Sequence, residues 1–463
     1  MEEVSTYSER IIQSNSAFQV SVDIYRAAVD FFIKVADTEW PALSTLQSDK
    51  ARLTSVETIT VISKERQVVP YPFEKADHRF YKMPCYLRRA AINEAIGKVS
   101  SYRSNLANWE NGDPKTRGRR PGFPKAGYVY PALYRGNMYQ GDIDQYTAQI
   151  KVFIRNTWDW ITVSLRKSDV DYIRRHCRPF AGGSGVMTSR KLGAPTLQKR
   201  YNKWYLDFPV EENVTLSKAK PVNQTIIAVD LGINNACTCS VMRSDGTVVG
   251  RRFLSLPAEN DFLKHAVGRI KKAQQHGSCK TPRLWALAKG INDRIAILTA
   301  QFIIDTAILY DADVIVMEHL DTSGRKRGSK KQRLHLWKSQ YVQAMVTQKA
   351  HRNGIRISRI CAWGTSRLAY DGSGKVLRGK ESEWTSDNYS LCEFPHKEGE
   401  RGKLYHCDLN ASYNIGARYF VRELLKSLPV TERLQLEAKV PSAGKRSTCT
   451  LSTLISLNAV LAA

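Results

Sequence analysis

The sequence contains no apolar run long enough to span a bilayer. The longest candidate, residues 451–463, is short and is interrupted by serine and threonine, whereas a membrane-spanning helix needs about 20 apolar residues. A secretory signal is also lacking, because the chain starts Met1-Glu2-Glu3 instead of with a basic stretch followed by an apolar one. These absences predict a protein without a membrane partner, located by default in the cytoplasm.

The sequence also lacks regularly spaced cysteines, and it has few acidic residues relative to basic ones. The nine cysteines show no spacing typical of a disulfide framework, which fits a reducing compartment. Only 44 Asp and Glu stand against 70 Lys and Arg, which leaves a formal net charge of +26. A solubilising surface is one explanation of that charge, but a field of this sign attracts polyanions above all. The composition therefore predicts a nucleic-acid-binding protein.

The 463 residues are enough for two or three globular domains, and 42% of them are apolar. Apolar residues recur at helical spacing between residues 16 and 40, and a second helical stretch runs from about Leu87 to Trp109. From Tyr146 the period changes to two, which predicts a small β-domain of oligonucleotide-binding type. The helical block is either an insertion into that β-domain or an independent domain.

A third region begins near Thr225 and alternates apolar strands with helices. Residues 226–229 and 314–317 are fully apolar, as expected of strands covered on both faces. After residues 226–229, a polar turn and a second strand from Thr247 predict a hairpin. Residues 354–360 are strand-like again. This order predicts a mixed α/β sheet.

Three acidic residues occupy comparable places in this region. Asp230 directly follows the strand of residues 226–229, Glu318 follows residues 314–317, and Asp408 starts a predicted helix. For any one of them alone, a cap or turn residue is the more common explanation, but strand ends in one sheet lie only about 4.8 Å apart. Three converging carboxylates repel one another unless cations neutralise them. Two Mg²⁺ ions suit such a set, which favours a ribonuclease-H-like nuclease core.

Three motifs give this region a specific resemblance. Residues 228–235, 314–320 and 408–415 resemble, in order and spacing, the RuvC-type nuclease domain of the TnpB transposon-encoded nucleases and of compact type V CRISPR effectors. The resemblance implies that Asp230, Glu318 and Asp408 are the metal ligands. It assigns to the two asparagines of the third motif, Asn410 and Asn414, the holding of a loop and helix. Gly232 in the first motif is a turn glycine.

The same resemblance implies an RNA-guided DNA endonuclease. Its partners would be a guide RNA, from a transposon end or a CRISPR array, and double-stranded target DNA with a short adjacent motif. One alternative is a nuclease-inactive, guided DNA-binding repressor, which the presence of all three carboxylates disfavours. Another is an unguided resolvase or transposase with the same ribonuclease-H-like core.

The predicted fold class is a multidomain α/β plus α+β protein. A mainly helical recognition region, with a possible N-terminal wedge strand, is expected at 1–145, and a β-rich wedge domain at 146–222. The ribonuclease-H-like (RuvC) nuclease domain is expected at 223–420, with a degenerate zinc-ribbon-like insertion at about 361–407. Residues 421–463 are expected to form a C-terminal tail.

The cysteine pairs of the family's zinc ribbon are missing from the insertion. Only Cys392, His396, His406 and Cys407 are near, and adjacent residues are a poor ligand pair for a tetrahedral zinc site. We therefore expect Mg²⁺ as the cofactor, without structural Zn²⁺. The run Asp371-Gly372-Ser373-Gly374 predicts a hairpin turn in a zinc-free remnant of the ribbon.

Two basic stretches are the predicted contacts with nucleic acid. Residues 115–125 are too rich in glycine and proline for a helix, and residues 325–333 carry six basic side chains in nine, shortly after Glu318. Aromatic side chains on the helix after the second stretch offer stacking surfaces for bases. The predicted contacts are Arg117, Arg119, Arg120, Lys125, Arg325, Lys326, Arg327, Lys330, Lys331, Arg333, Trp337 and Tyr341.

Overall fold

The structure is a computed structural model, and it forms two compact units. The N-terminal unit is residues 2–213, and the C-terminal unit is Met1 with residues 214–463. The structure describes residues 1–114, 117–176, 190–232, 235–278, 280–320, 338–382, 385, 388, 390–396, 402–445 and 447–462. The chain is thus a multidomain protein of mixed helices and strands, which confirms the broad fold class.

The N-terminal unit has two small antiparallel sheets and a set of helices. Its strands are β1 (Glu2–Arg10), β2 (Tyr139–Gln140), β3 (Thr147–Ile154), β4 (Thr157–Ser164), β5 (Arg190–Leu192), β6 (Thr196–Arg200) and β7 (Lys203–Asn213). Its helices are α1 (Ser16–Thr38), α2 (Trp40–Leu43), α3 (Asp49–Thr60), α4 (Phe73–Ala76), α5 (Cys85–Glu110) and α6 (Lys167–His176), with a 3₁₀ turn at His78–Phe80. The helix predicted from apolar spacing is α1, and the second predicted helical stretch is α5, so both predictions are confirmed.

The first strand of the chain pairs with the last strand of this unit. β1 lies antiparallel to β7 over its whole length, from Glu2 opposite Asn213 to Arg10 opposite Tyr205. β7 also pairs with β5 and β6, and β2, β3 and β4 form the second sheet. One apolar core runs through both sheets and the helices, from Tyr7 to Val210. No division therefore falls at the boundary expected between residues 145 and 146.

The C-terminal unit contains the larger sheet. Its strands are β8 (Thr225–Asp230), β9 (Cys237–Arg243), β10 (Val248–Leu254), β11 (Val314–His319), β12 (Arg356–Cys361), β13 (Leu391–Glu393) and β14 (Leu404–His406). Its helices are α7 (Pro257–Gln275), α8 (Pro282–Leu309), α9 (Ser339–Arg352), α10 (Cys407–Lys426), α11 (Val430–Lys439), α12 (Pro441–Gly444) and α13 (Leu451–Ala462), with 3₁₀ turns at Pro221–Asn223 and Gly379–Glu381. None of the helices in the described part of the chain is both long enough and apolar enough to cross a membrane.

The larger sheet has the strand order β10-β9-β8-β11-β12. β8, β9 and β10 are antiparallel, as the predicted hairpin requires, while β11 is parallel to both β8 and β12. Alternate residues of β8 face opposite sides, so Ile227 packs into a core with α8 and α9 while Ala228 packs into a core with α10. Both central strands are covered on both faces, which explains their continuous apolar sequences.

The C-terminal unit is longer at both ends than the predicted nuclease domain. Ser217 belongs to it, because its backbone N–H donates to the carbonyl oxygen of Gly354 at 2.8 Å and its hydroxyl donates to Asp313 Oδ1 at 2.5 Å. At the other end α10 runs past residue 420, and α11 to α13 bury apolar side chains such as Leu454 and Leu457 in the same core. The expected boundaries at 222 and 420 are therefore wrong, because these segments are held by the core of the sheet.

Gly416 allows α10 to lie close against the sheet. A Cβ atom at this position would lie 3.2 Å from Ala228 Cβ and would collide with Met242 Sδ. Both neighbours are fully buried, so neither can move into solvent. The close approach holds the start of α10, and with it Asp408, near the end of β8.

Replacing Gly416 with alanine should lower the free energy of unfolding by about 1–3 kcal/mol, because an added methyl group overpacks a closed core. Urea denaturation measures this. Gly290→Ala in α8 is the matched control, since nothing lies within 4 Å of its new Cβ. In a Met242→Ala background, the further loss caused by Gly416→Ala should be smaller than in the wild type, because the atom that the new methyl group would meet is gone. A Gly416→Ala protein as stable as the control would refute the close approach.

Candidate carboxylate site

Two of the three acidic side chains lie on neighbouring parallel strands. β8 and β11 pair with Val229 opposite Met317, so the next residues along each strand, Asp230 and Glu318, come at the same edge of the sheet. Neighbouring strands in a sheet are about 4.8 Å apart. Parallel pairing thus brings together two carboxylates that are far apart in the sequence.

The third acidic residue comes from the start of α10. Asp408 lies in the first turn of this helix, and its backbone N–H donates to His406 Nδ1 at 3.2 Å, which caps the helix. Asn235 Nδ2, from the segment after β8, donates to Asp408 Oδ2 at 2.8 Å. The carboxylate of Asp408 is therefore held beside the segment that carries Asp230.

The electrostatics of Asp230 reflect both other carboxylates. Burial raises the pKa of Asp230 well above its usual range, and the carboxylates of Glu318 and Asp408 raise it further. The guanidinium of Arg378 acts in the opposite direction and lowers this pKa. The carboxylate of Asp230 accepts no hydrogen bond from the described residues. The structure thus concentrates negative charge at one sheet edge. Across the described residues, no three His, Cys, Asp or Glu side chains are close enough together to bind one ion as they stand.

Glu318 has a hydrogen-bond donor of its own. Burial raises the pKa of Glu318, while a hydrogen bond from the Thr365 hydroxyl to Glu318 Oε1 and the charge of Arg418 both lower it. The backbone carbonyl of Glu318 accepts from Gln343 Nε2 at 2.9 Å. Side chain and backbone of Glu318 are therefore both fixed, the first by the loop after β12 and the second by α9.

The loop that carries Thr365 is held by the two asparagines of α10. Asn414 Nδ2 donates to the carbonyl oxygen of Thr365 at 3.0 Å and to that of Leu368 at 2.8 Å. Asn410 Nδ2 also donates to the carbonyl oxygen of Leu368, at 2.8 Å, and Asn410 Oδ1 accepts from the backbone N–H of Tyr370 at 2.8 Å. Both amide groups are buried. The prediction that Asn410 and Asn414 hold the loop and helix is confirmed.

Arg418 connects the same helix to two further segments. Its guanidinium donates to four carbonyl oxygens, those of Cys361, Trp363, Ser447 and Cys449, at 2.7–3.1 Å. Sequence reasoning did not single out this residue. The available signal was its spacing, since Arg418 follows Asn414 and Asn410 by one and two turns of one helix face.

The zinc-ribbon-like insertion is built without a four-ligand cluster in its described residues. Cys392 and Cys407 are buried neighbours, and Arg378 Nε donates to Cys407 Sγ at 3.0 Å. His406 accepts a hydrogen bond at the start of α10, and His396 Nδ1 lies 3.5 Å from a Glu393 carboxylate oxygen. Cys392 and Cys407 thus interact with each other, whereas His396 and His406 have other partners.

Aromatic rings fill the centre of this insertion. The ring centroid of Tyr370 lies 5.0–5.4 Å from the ring centroids of Phe394, Tyr405 and Tyr413, and each pair of rings packs edge to face. The amine of Lys403 lies 4.9 Å from the Tyr370 centroid. The predicted hairpin turn is present, with the left-handed Gly372 (φ 83°) at its tip. Packed rings therefore provide a small core where a ribbon would have its metal.

The predicted nucleic-acid contacts fall into three groups. Arg119, Arg120 and Lys125 are exposed, and so is Tyr341 on α9. Arg117 differs, because its guanidinium stacks 4.0 Å from the Trp109 ring centroid and donates to the Trp109 carbonyl oxygen at 3.4 Å. Outside the described residues lie Arg325, Lys326, Arg327, Lys330, Lys331, Arg333 and Trp337.

Comparisons with known proteins show a family likeness in part of the N-terminal unit. The model of the Aq_aa04 family matches residues 5–154. The Aquifex aeolicus (strain VF5) protein named "Uncharacterized protein aq_aa04" is 28% identical over 124 residues, which cover 24% of this chain and 68% of that protein. The family match does not reach the three carboxylates.

Solved structures similar to this chain include several CRISPR effector complexes. The Cas12f1–sgRNA–target DNA complex is 14% identical, with 89% of this chain and 98% of that chain covered and a TM-score of 0.34. CasPhi-2 (Cas12j) bound to crRNA is 10% identical, with 89% and 97% covered and a TM-score of 0.42. The AacC2c1–sgRNA–extended non-target DNA complex is 11% identical, with 88% and 64% covered and a TM-score of 0.41. The carboxylate edge, meaning the end of the large sheet where Asp230 and Glu318 lie with Asp408 nearby, is the basis of the functional proposal, and these likenesses are not.

Proposed function

We propose that the C-terminal unit is a ribonuclease-H-like, RuvC-type nuclease that cleaves DNA with the help of divalent cations. What supports this proposal is that Asp230 and Glu318 end neighbouring parallel strands of the large sheet and that the carboxylates of Glu318 and Asp408 both raise the pKa of Asp230. Structural ion-pair networks place a cation beside each acid. At Asp230 the guanidinium of Arg378 offsets only part of the negative charge, and the carboxylate accepts no hydrogen bond from the described residues, so a bound cation would be needed to keep it ionised beside Glu318 and Asp408.

The donor set fits Mg²⁺. Carboxylate oxygens are the ligands that this small, hard cation prefers, and two such ions bound by the three acids would activate water and stabilise the leaving oxygen of a phosphodiester. Within the protein, Thr365 fixes the orientation of the Glu318 carboxylate and Asn235 that of Asp408. Hydrogen bonds from neighbouring residues to the ligands keep the carboxylates of a metal site in the orientation that binds the ion.

We propose further that this nuclease is guided by RNA, with double-stranded DNA as its target. Two features support this: the net charge of +26, which favours polyanions, and the three RuvC-type motifs that resemble those of the guided families. The N-terminal unit would then hold the guide and target, and the basic residues Arg119, Arg120 and Lys125 are exposed for contact with phosphates.

A plasmid-cleavage assay tests both parts of the proposal. The full chain is purified from its native locus with its RNA, the RNA is sequenced, and a plasmid carrying the matching target is incubated with Mg²⁺ or with EDTA. We expect a discrete RNA species and cleavage that needs both Mg²⁺ and the matching target. An intact plasmid with a discrete RNA would identify a repressor. Cleavage with no discrete RNA would identify an unguided enzyme.

Replacing Thr365 with valine should slow cleavage by about 10–100-fold, the usual cost of removing a group that orients a metal ligand. The valine keeps the shape of the side chain but removes the hydroxyl that lowers the pKa of Glu318. The pKa of Glu318 then rises, so the acidic limb of the pH–rate profile should move to higher pH. Thr365→Ser, which keeps the hydroxyl, is the control. Equal rates and profiles for the two variants would exclude this role.

A further inference from the structure

The C-terminal unit contains a second feature that the nuclease proposal does not use. A cavity of about 760 Å³ lies between the end of β12, the second half of α10 and the helices α11 and α12. None of Asp230, Glu318 and Asp408 lines it. It is thus a separate place in the fold from the carboxylate edge, and its volume is within the range of small-molecule binding sites.

Positive charge is in excess around this cavity. The charged residues of its described lining are five cations and two acids: Arg359, Arg418, Arg422, Lys426, Arg433, Glu423 and Glu437. Each acid already has a cation beside it, since Glu423 lies 2.9 Å from Arg422 and Glu437 lies 3.7 Å from Arg433. Subtracting the two acids from the five cations leaves an excess of three positive charges.

Three cations remain, Arg359, Arg418 and Lys426, and none of them has an ion-pair partner in the described part of the chain. The guanidinium of Arg418 is surrounded by carbonyl oxygens, which satisfy its hydrogen bonds but carry no net charge to offset its own. Arg359 and Lys426 are exposed at the rim of the cavity. Neither side chain has a hydrogen-bond or ion-pair partner among the described residues. Arg433 Nε is buried and makes no hydrogen bond in the described residues, although it lies 3.7 Å from a carboxylate oxygen of Glu437. A buried donor without an acceptor is costly, so an anion in the cavity would relieve it.

The rest of the wall is apolar. Ile360, Val421, Leu425 and Ala443 line the cavity beside the cations, and all four are buried residues of the surrounding core. A wall of this kind contacts carbon and ring atoms, while guanidinium groups bind phosphate oxygens in pairs. The two halves together suit a ligand that carries both a phosphate and an apolar part.

We propose that this cavity binds one phosphorylated nucleotide unit. Arg359, Lys426 and Arg433 would hold the phosphate, and the apolar wall would contact the sugar and base. A free nucleotide and a nucleotide of an RNA or DNA strand present this same chemistry. The inference does not depend on cleavage, because the carboxylates take no part in it.

Isothermal titration calorimetry on the full chain, freed of nucleic acid, tests the site with adenosine 5′-monophosphate at about 0.15 M salt. The double variant Arg359→Gln, Lys426→Gln should bind the probe about tenfold more weakly or worse, because charge-assisted bonds to phosphate are lost. Adenosine, which has no phosphate, should bind weakly to both proteins. The matched control is Lys439→Gln, an exposed cation of α11 that does not line the cavity; it should bind like the wild type.

The source of the phosphate is decided by a second titration. A 5′-phosphorylated trinucleotide that binds more tightly than the mononucleotide, with the same loss in the double variant, would indicate a strand. Equal affinities would indicate a free nucleotide. If the double variant melts at a lower temperature, each single variant is titrated instead. Wild-type affinity in these variants, or an equal loss in Lys439→Gln, would overturn the proposal.

Discussion

Replacing Asp230 with asparagine should reduce Mg²⁺-dependent DNA cleavage by about a thousandfold or more, while leaving RNA and DNA binding unchanged. Asparagine keeps the size of the side chain but removes the negative charge that binds a cation. A catalytic cation contributes several kcal/mol to the transition state, and about 1.4 kcal/mol corresponds to a factor of ten in rate. Initial rates on a matched plasmid measure the first effect, and filter binding with EDTA measures the second.

The stability of this variant provides a second, independent readout. In the metal-free protein Asp230 is repelled by the carboxylates of Glu318 and Asp408, which raise its pKa. Removing that charge should leave the melting temperature unchanged or raise it. Asp311→Asn is the matched control, because Asp311 is exposed with a left-handed backbone (φ 48°) that asparagine adopts readily. A loss of binding or of stability in Asp230→Asn would identify a structural residue instead of a ligand.

Replacing Glu9 with glutamine should remove a large pH dependence of the free energy of unfolding. Glu9 lies on β1 and is completely buried, and neither of its carboxylate oxygens has a hydrogen-bond partner among the described residues. Burial raises the pKa of Glu9 from 4.5 to about 9, with smaller contributions from Asp169 and Asp144. The buried hydroxyl of Tyr139 is a further neighbour without a hydrogen-bond partner in the described residues. In the folded protein Glu9 is thus neutral at pH 7.

The direction of the effect follows from the raised pKa. The unfolded chain releases the Glu9 proton above about pH 4.5, whereas the folded chain keeps it up to about pH 9. The stability that the neutral carboxyl provides is complete below pH 4.5 and is lost as the pH rises to 9. At 1.36 kcal/mol per pH unit, the wild type should lose up to about 4 kcal/mol between pH 5 and pH 8 relative to Glu9→Gln.

Hydrogen exchange of the β1 and β7 amides, measured at pH 5 and at pH 8, localises this effect to the N-terminal unit. Protection should fall with pH in the wild type, after correction for the intrinsic exchange rate, and much less in Glu9→Gln. Glu2→Gln is the control, because Glu2 is an exposed residue of the same strand. Parallel pH dependences in the wild type and Glu9→Gln would contradict a neutral buried carboxyl.

Local patterns in the sequence were sufficient for the elements and for the positions of the three acids. Helical spacing of apolar residues predicted α1 to within a few residues, since the buried face of a helix repeats every 3.6 residues. Pro84 before α5 and the Asn-Gly-Asp-Pro stop after it predicted the bounds of α5 equally closely. Continuous apolar runs predicted the two central strands of the large sheet, because both of their faces are covered. Asp230, Glu318 and Asp408 could therefore be assigned to strand ends and a helix start without coordinates.

Domain boundaries could not be predicted in this way. β1 and β7 are paired although about two hundred residues separate them, and this pairing places the helices between them in one core. Leu454 and Leu457 in the last helix belong to the core of the large sheet, although their sequence predicted only a tail. Such contacts depend on which distant segments meet, and no local period records that.

The sequence by itself determined a basic, multidomain α/β protein with three acids at the ends of predicted elements. Only the tertiary structure decided what surrounds those acids: Thr365 on Glu318, Asn235 on Asp408, and Arg418 behind the loop. It also decided the cationic cavity beside α10. The physical reason is that periodicity reports which face of an element is buried, whereas hydrogen bonds and pKa shifts depend on the partner that packing brings to that face.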